Sequence, residues 1–323
     1  MPLTSPSVLL IRLDGIGDAL ALCPLVVALR ERGIPVDAVL TQHNFDAFAP
    51  GALRERFLAP FAVRDNSRAN LDAIADFGRT LRKHGYSHAL VATEDTGGYH
   101  LARASHAARR VGFSNGWSKP FKTLWIRSRL TQTLYRAAAL DARAPRECEV
   151  LFELGRALLG ARARPTRDVA SLRPLVVDGS PVPDARIGFQ VTDKWDRLGI
   201  PFDEVVACAR TFDRDIIRAF GSIHEVAYVK RFQRAADIPV ETFDALPPWK
   251  SAIANSSALV APDGGAMHVA GMVGTPIVAV FPSQRDFTLQ TARWSPWAAP
   301  YTIVEARTGW SQIAARAAIQ KQS

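Results

Sequence analysis

Cysteine is scarce in this chain: Cys23, Cys148 and Cys208 are all that its 323 residues contain. They are odd in number, far apart and unaccompanied by His or Cys at metal-ligand spacing, which excludes a disulfide framework and predicts buried, inert thiols in a reducing compartment. Long apolar runs are missing too. None reaches the ~18 residues that cross a bilayer, and the apolar start SVLLIRLDG is interrupted by Arg12 and Asp14 instead of ending in a small-residue cleavage site. The expectation is a soluble cytoplasmic protein without a signal peptide. No short repeat is visible, which disfavours solenoids and propellers. The most informative absence is of acid: residues 96–140 hold no Asp or Glu, yet hold Arg103, Arg109, Arg110, Lys119, Lys122, Arg127, Arg129 and Arg136. With Trp117, Phe121 and Trp125 between the charges, the segment predicts an anionic partner: nucleic acid, a phosphorylated glycolipid or a membrane surface. No recognised nucleic-acid motif accompanies it, so nucleic acid is set aside.

What is present is ample core material, 48% hydrophobic residues under a formal charge of +9. The charge is uneven. Up to residue 165 there are 23 Lys and Arg against 15 Asp and Glu; beyond it the numbers are 17 and 16. Apolar runs of strand length alternate with helical patterns, the signature of parallel sheets covered by helices. In a first series SVLLIRL, VDAVLT, SHALVAT and ARRVGF read as strands, with helices near 18–32, 69–84 and 146–160; Pro24 should kink or restart the first helix. In a second, ARIGFQV, DIIRAFG, PVETF, SALVAP and TPIVAVF read as strands. Helices are expected near 203–212, 223–235, 248–254, 265–273 and 309–320. Between the series, ARARPTRDVASLRPLVVDGSPVPDAR lacks helical period and reads as a linker. The prediction is an α/β chain of two doubly wound domains, 1–165 and 166–323, facing across a cleft, with ligands at the carboxyl ends of the strands.

Two loops carry the chemistry. In RLDGIGDALAL, residues 12–22, Gly15 and Gly17 permit a tight turn after the first strand and Asp18 stands at the start of the next helix. The glycine pattern of a dinucleotide site is broken at Leu20, and a carboxylate there would repel pyrophosphate, so a dehydrogenase is disfavoured. Asp18 is either a helix cap or a base held at the cleft edge. In LVAPDGGAMHVAGMVGTPIVAVF, residues 259–281, the strand is expected to end at Ala261 with Pro262 breaking it. Asp263, Gly264 and Gly265 make the turn, and the free amides opening the next helix favour a phosphate. His268, about one turn further on, is placed to reach the same ligand, and Gly274 caps the helix.

Both loops resemble those of glycosyltransferase family 9, the ADP-heptose:lipopolysaccharide heptosyltransferase family. Its first-loop pattern R-x-x-x-x-G-D before a Pro-containing helix is matched by Arg12, Gly17, Asp18 and Pro24; its late pattern N-D-T/S-G-x-x-H-x-A-x-x-x-G-T-P is matched by Asp263, Gly265, His268, Ala270, Gly274, Thr275 and Pro276, with Pro262 in place of the asparagine and Gly264 in place of the hydroxyl residue. Lys194 and Trp195 keep the end of a third element, in which Gln190, Val191 and Thr192 replace a His-Pro-Gly-like turn. Glu225 follows Gly221-Ser222 as a family glutamate follows its glycine pair, and Glu147 stands where a histidine is common.

The resemblance implies the GT-B fold, with an acceptor-binding first domain and a donor-binding second. It implies inverting transfer of a sugar, heptose from ADP-heptose above all, onto a lipopolysaccharide core or related anionic glycan. Asp18 is then the general base. Lys194, Asp263, Gly264, Gly265 and His268 hold the donor diphosphate and sugar, and Glu225 touches the ribose. Gly15, Gly17, Arg109, Arg110 and Lys119 lie on the acceptor side. No Asp-x-Asp pair stands beside the phosphate loops, so neither metal nor cofactor is expected. Peripheral contact with the inner face of the inner membrane fits the basic segment. Two other readings stay open: a non-catalytic nucleotide- or glycan-binding protein, and a nucleotide-sugar epimerase or hydrolase on the same fold.

Overall fold

The computed structural model describes residues 6–137, 145–180, 182–283 and 286–322. Residues 138–140 of the basic segment and Pro181 of the expected linker lie outside them. The chain divides into two compact units, Met1–Thr166 and Arg167–Ser323.

The first unit holds six parallel strands: β1 (Val8–Ile11), β2 (Val36–Leu40), β3 (Glu55–Leu58), β4 (His88–Val91), β5 (Arg109–Ser114) and β6 (Gln132–Tyr135), in the order β3-β2-β1-β4-β5-β6. The second repeats the plan with β7 (Asp184–Gln190), β8 (Ile217–Ser222), β9 (Val240–Phe243), β10 (Ser256–Pro262), β11 (Ile277–Pro282) and β12 (Tyr301–Ala306), in the order β12-β11-β10-β7-β8-β9. Each sheet grows outward in both directions from its first and fourth strands. That is the doubly wound plan, and its loops open apart at β1/β4 and at β7/β10.

The central strands are buried on both faces, as the continuous runs VLLI and HALV require. Leu9, Ile11, Val39, Ala89 and Val91 form the core of the first unit with Ile74, Tyr99 and Leu101 from the covering helices. In the second, Ile187, Phe189, Val260, Val278 and Val280 pack against Trp195, Phe232 and Trp310. Each fully buried Leu, Ile, Val or Phe contributes roughly 1.5–3 kcal/mol, so the sheets hold themselves and the loops are free to carry function. The three cysteines are buried and unpaired by disulfides, and burial pushes the Cys208 thiol up to about 12.

Pro24 restarts the first helix as expected: Ile16–Leu20 ends, and a second helix, Cys23–Arg30, begins with Pro24 in its first turn. β10 runs one residue further than expected, through Pro262; a residue at the strand's last position needs no ladder donor of its own. The expected linker is partly structured. Its residues form the helix Val169–Leu172, whose Val169 packs so closely on Gly274 that a Cβ there would lie 2.6 Å from Cγ1. Arg173 donates to the carbonyls of Val273 and Ala254, where two helices of the second unit end.

Candidate functional site

In the second unit, the loops at the β7/β10 opening converge on the amino end of the helix Gly265–Val273. Asp263 N–H still pairs with the Val280 carbonyl at 2.9 Å, so β10 is held in register up to the turn. Gly264 is the helix's N-cap in extended backbone, and no side chain caps the helix there. Its first amides therefore remain available to an anion. Lys194 reaches into this position from the loop after β7: a Cβ on Gly264 would stand 2.9 Å from Lys194 Nζ and 3.2 Å from its Cδ. The missing side chain is what leaves room for the ammonium. A lysine charge and a helix amino terminus thus share one point, which suits a phosphate group.

Lys194 is aimed by its neighbours. Its N–H donates to Thr192 Oγ1 at 3.2 Å. Trp195, fully buried, stacks between Phe189 and Trp310 at 6.2 and 5.6 Å and donates from Nε1 to the Gln190 carbonyl at 2.9 Å. Gln190 Oε1 in turn accepts from Trp249 Nε1 at 2.9 Å. The residues standing where a His-Pro-Gly-like turn was looked for thus form a tied support beneath the lysine.

Thr192 Oγ1 also donates to Glu225 at 2.9 Å, and Arg197 lies 3.8 Å from the same carboxylate. Burial, then the hydrogen-bonded Asp193 carboxyl, raise the Glu225 pKa from 4.5 to about 7. His268 is half-buried with its ring 6.0 Å, edge to face, from Trp294. Asp263 also lines a cavity of about 220 Å³, together with Leu198, Phe281, Pro282, Phe287 and Gln290.

In the first unit, the β1/β4 opening is acidic. Arg12 is buried, with its guanidinium bonded to the Ala92 carbonyl, 2.7 Å from Asp18 and 3.4 Å from Asp14. The second Asp18 oxygen accepts from the Gly15 N–H at 3.1 Å. Asp18 is therefore the third residue of its helix, with Gly15 as N-cap, and both its oxygens are oriented while the side chain stays about one-third exposed. A carboxylate has roughly four acceptor positions, so one bond to each oxygen leaves capacity for an incoming hydroxyl.

Asp14, in the same loop, is pushed up mainly by burial, against the pull of Arg12 and a hydrogen bond from Thr93; Asp18 and Asp95 add to the rise. Asp95 caps the helix Thr96–Ala104 through the Gly97 N–H at 2.7 Å. Asp14, Thr93 and Asp95 were not singled out from sequence. Asp14 was visible in RLDGIGD, but Thr93 and Asp95 join it only because β4 lies beside β1.

The other predicted residues are not all gathered here. Gly15 and Gly17 flank Asp18. Arg109 and Arg110 open β5, at the amino end of the sheet, opposite the loops just described, and Arg110 spends its guanidinium on the carbonyls of Arg129 and Ala107. The expectation that groups them with Gly15 and Gly17 on the acceptor side is corrected by strand direction: in a parallel sheet, strand starts and strand ends face opposite ways. Lys119 follows β5 and so lies at the same end as Asp18. Glu147 is buried and paired with Arg136 at 3.3 Å, which also lies 3.5 Å from Glu94.

Among the described residues, Asp37, Glu55 and His84 stand close enough to share a metal ion. Asp37, however, is occupied by Arg54, Tyr86 and the Glu55 N–H, at the amino side of β2. The Asp-x-Asp pair that the sequence does contain, Asp213 and Asp215, precedes β8, again at the end away from the phosphate loop.

This arrangement defines the fold first. Two doubly wound units in succession constitute the GT-B fold, and the solved structures it matches are of that kind. A glycosyltransferase of family 9 from Veillonella parvula is 18% identical over 94% of this chain and 87% of its own, with a TM-score of 0.68. The E. coli heptosyltransferase WaaC with ADP is 17% identical over 98% of this chain and all of its own, at 0.70. A putative UDP-N-acetylglucosamine 2-epimerase from Listeria monocytogenes is 12% identical over 98% and 88%, at 0.59. No protein-family model matches the sequence, and no curated protein matches it. Among the described residues no helix is long and apolar enough to cross a membrane.

Proposed function

We propose that the chain is an inverting glycosyltransferase that moves a sugar from a nucleotide-diphospho-sugar, ADP-heptose by preference, onto an anionic glycan such as a lipopolysaccharide core. The observation that carries the reading is the meeting of the Lys194 ammonium with the open amino end of the Gly265–Val273 helix at Gly264. Charge accumulates on the departing diphosphate as the glycosidic bond breaks, and fixed donors aimed at that charge lower the barrier. Lys194 and the Gly264 and Gly265 amides are those donors, with Asp263 and His268 on the sugar side and Glu225 on the ribose. The acceptor hydroxyl attacks the anomeric carbon and gives its proton to Asp18, which Arg12 and the Gly15 N–H hold in place. Helix amides and lysine do the work that a divalent ion does elsewhere, so no metal or cofactor is required. The family 9 and heptosyltransferase likenesses support transfer, and the E. coli structure with ADP supports an adenine nucleotide.

The likeness to an epimerase favours one other reading, conversion of the nucleotide-sugar without an acceptor. Calorimetric titration with ADP, UDP, GDP and dTDP and their sugars, followed by product analysis with and without a glycan acceptor, tests both. Diphosphates should bind at least tenfold tighter than the matching nucleosides, and glycoside should form only with acceptor present. Equal binding of nucleoside and diphosphate would sink the donor site, and acceptor-independent sugar conversion would replace transfer by epimerisation.

A further inference from the structure

The loop and helix after β5 have no ordinary surface. In the helix Pro120–Arg127, Thr123 and Ile126 face inward. The outward positions, where polar residues are expected, hold Phe121 and Leu124, 89% and 70% exposed. Just before them Trp117 is 94% exposed. Gly116, at φ +57°, brings the backbone over Tyr135, itself 69% exposed, with a Cβ at that glycine only 3.3 Å from the ring. Four large apolar side chains therefore share one stretch of surface. Trp125 shows the contrast, since it packs on Tyr99 and His100 and lies under Arg129 at 3.8 Å. Exposed apolar clusters of this kind mark contact surfaces.

The charge around them has one sign. Residues 96–140 contain no carboxylate; of the two acids just before them, Glu94 is engaged by Lys122 and Arg136 at 3.5 Å each, and Asp95 accepts from the N–H groups of Arg64 and Gly97. Lys119 and Arg127 are exposed and make no ion pair among the described residues. A second copy of this surface would meet it with like charge. An anionic bilayer meets it with opposite charge and also takes up tryptophan and phenylalanine at headgroup depth.

We propose that Trp117, Phe121 and Leu124, flanked by Lys119 and Arg127, dock the first unit on an anionic phospholipid bilayer. The segment follows the carboxyl end of β5, so it lies at the same end of the sheet as the Asp18 loop. Docking there presents that loop to the headgroup layer, where a lipid-borne acceptor would be met; this last point rests on the transfer reading, whereas the docking does not.

The test is sedimentation of the full chain with vesicles of phosphatidylcholine alone and of phosphatidylcholine with phosphatidylglycerol, without nucleotide or acceptor. Binding is expected to the anionic vesicles only and to weaken as salt rises. Trp117→Ser with Phe121→Ser should lower partitioning on the order of tenfold or more, Lys119→Gln and Arg127→Gln about fivefold each, and Trp117→Phe little. The side chains are exposed, so unchanged thermal melting serves as the folding control, and the two charge variants stand if the double serine variant misfolds. Equal partitioning of variants and wild type, or no binding to either vesicle, would overturn the proposal. So would a loss of self-association in the serine variant, which would assign the face to a second copy. Because transfer is absent from the readout, failure here leaves the transfer reading standing.

Discussion

The two units share one strand order and put opposite chemistry at the same place in it. At β1/β4 the loops set Asp14 and Asp18 against a single buried guanidinium, Arg12, with Asp95 close enough to act on Asp14. At β7/β10 they bring together a lysine, a bare helix terminus and a glycine with no side chain to obstruct them. The backbone supplies only the opening between diverging loops. A few loop residues decide whether such an opening is acidic or cationic, and the proposed transfer calls on both.

The sharpest way to break the comparison is at its acidic half. Asp18→Asn should lower transfer roughly 10²–10⁴-fold while leaving calorimetric affinity for the nucleotide unchanged; a matching loss of nucleotide affinity would mean that Asp18 is no base. At the basic half, Lys194→Ala should cost on the order of 10²-fold in kcat/KM and weaken diphosphate binding. Arginine should rescue it poorly, since a planar fork does not fit where a compact ammonium sits. Gly264→Thr tests whether the two features belong together. A Cβ there collides with Lys194, so diphosphate binding should weaken about tenfold in the wild type but far less beside Lys194→Ala; additive effects would show the contact to be incidental.

A smaller effect separates the units by pH. Glu225 takes up its proton at about 7 in the folded chain and at 4.5 as an ordinary carboxylate. Between those values the folded state holds more protons than the unfolded one, so stability falls as pH rises through the window. Glu225→Gln should remove that slope and raise Tm at pH 8 by roughly 1–3 °C, a small figure because Thr192 and Arg197 partly favour the charged form. Least of all, Arg109→Ala should leave the acceptor KM within about twofold, since strand direction puts it at the wrong end of the sheet.

Buried patterns are legible in the sequence. The central strands announce themselves as unbroken apolar runs, and Pro24 and Gly274 mark where helices restart and stop. The edge strands β3, β6 and β12 escaped because their faces are half open and their residues mixed, as in ERFL and QTLY. The helix Thr96–Ala104 was hidden by Gly97 and Gly98, poor helix formers that are there because a Cβ at Gly98 would lie 2.5 Å from Thr93 Cγ2. In the two loops, residues consecutive in sequence were legible. Partners joined across strands, such as Thr93 with Asp14 or Thr192 with Glu225, appear only when the sheet order is known.

Trp195 sets a limit on how much the anion point can move. Its indole is locked between two aromatic rings in the interior of the second unit, so the adjoining Cα of Lys194 is as fixed as the sheet itself. A ligand arriving there has only the flexible stem of one side chain left to immobilise, and little ordering entropy stands between encounter and grip.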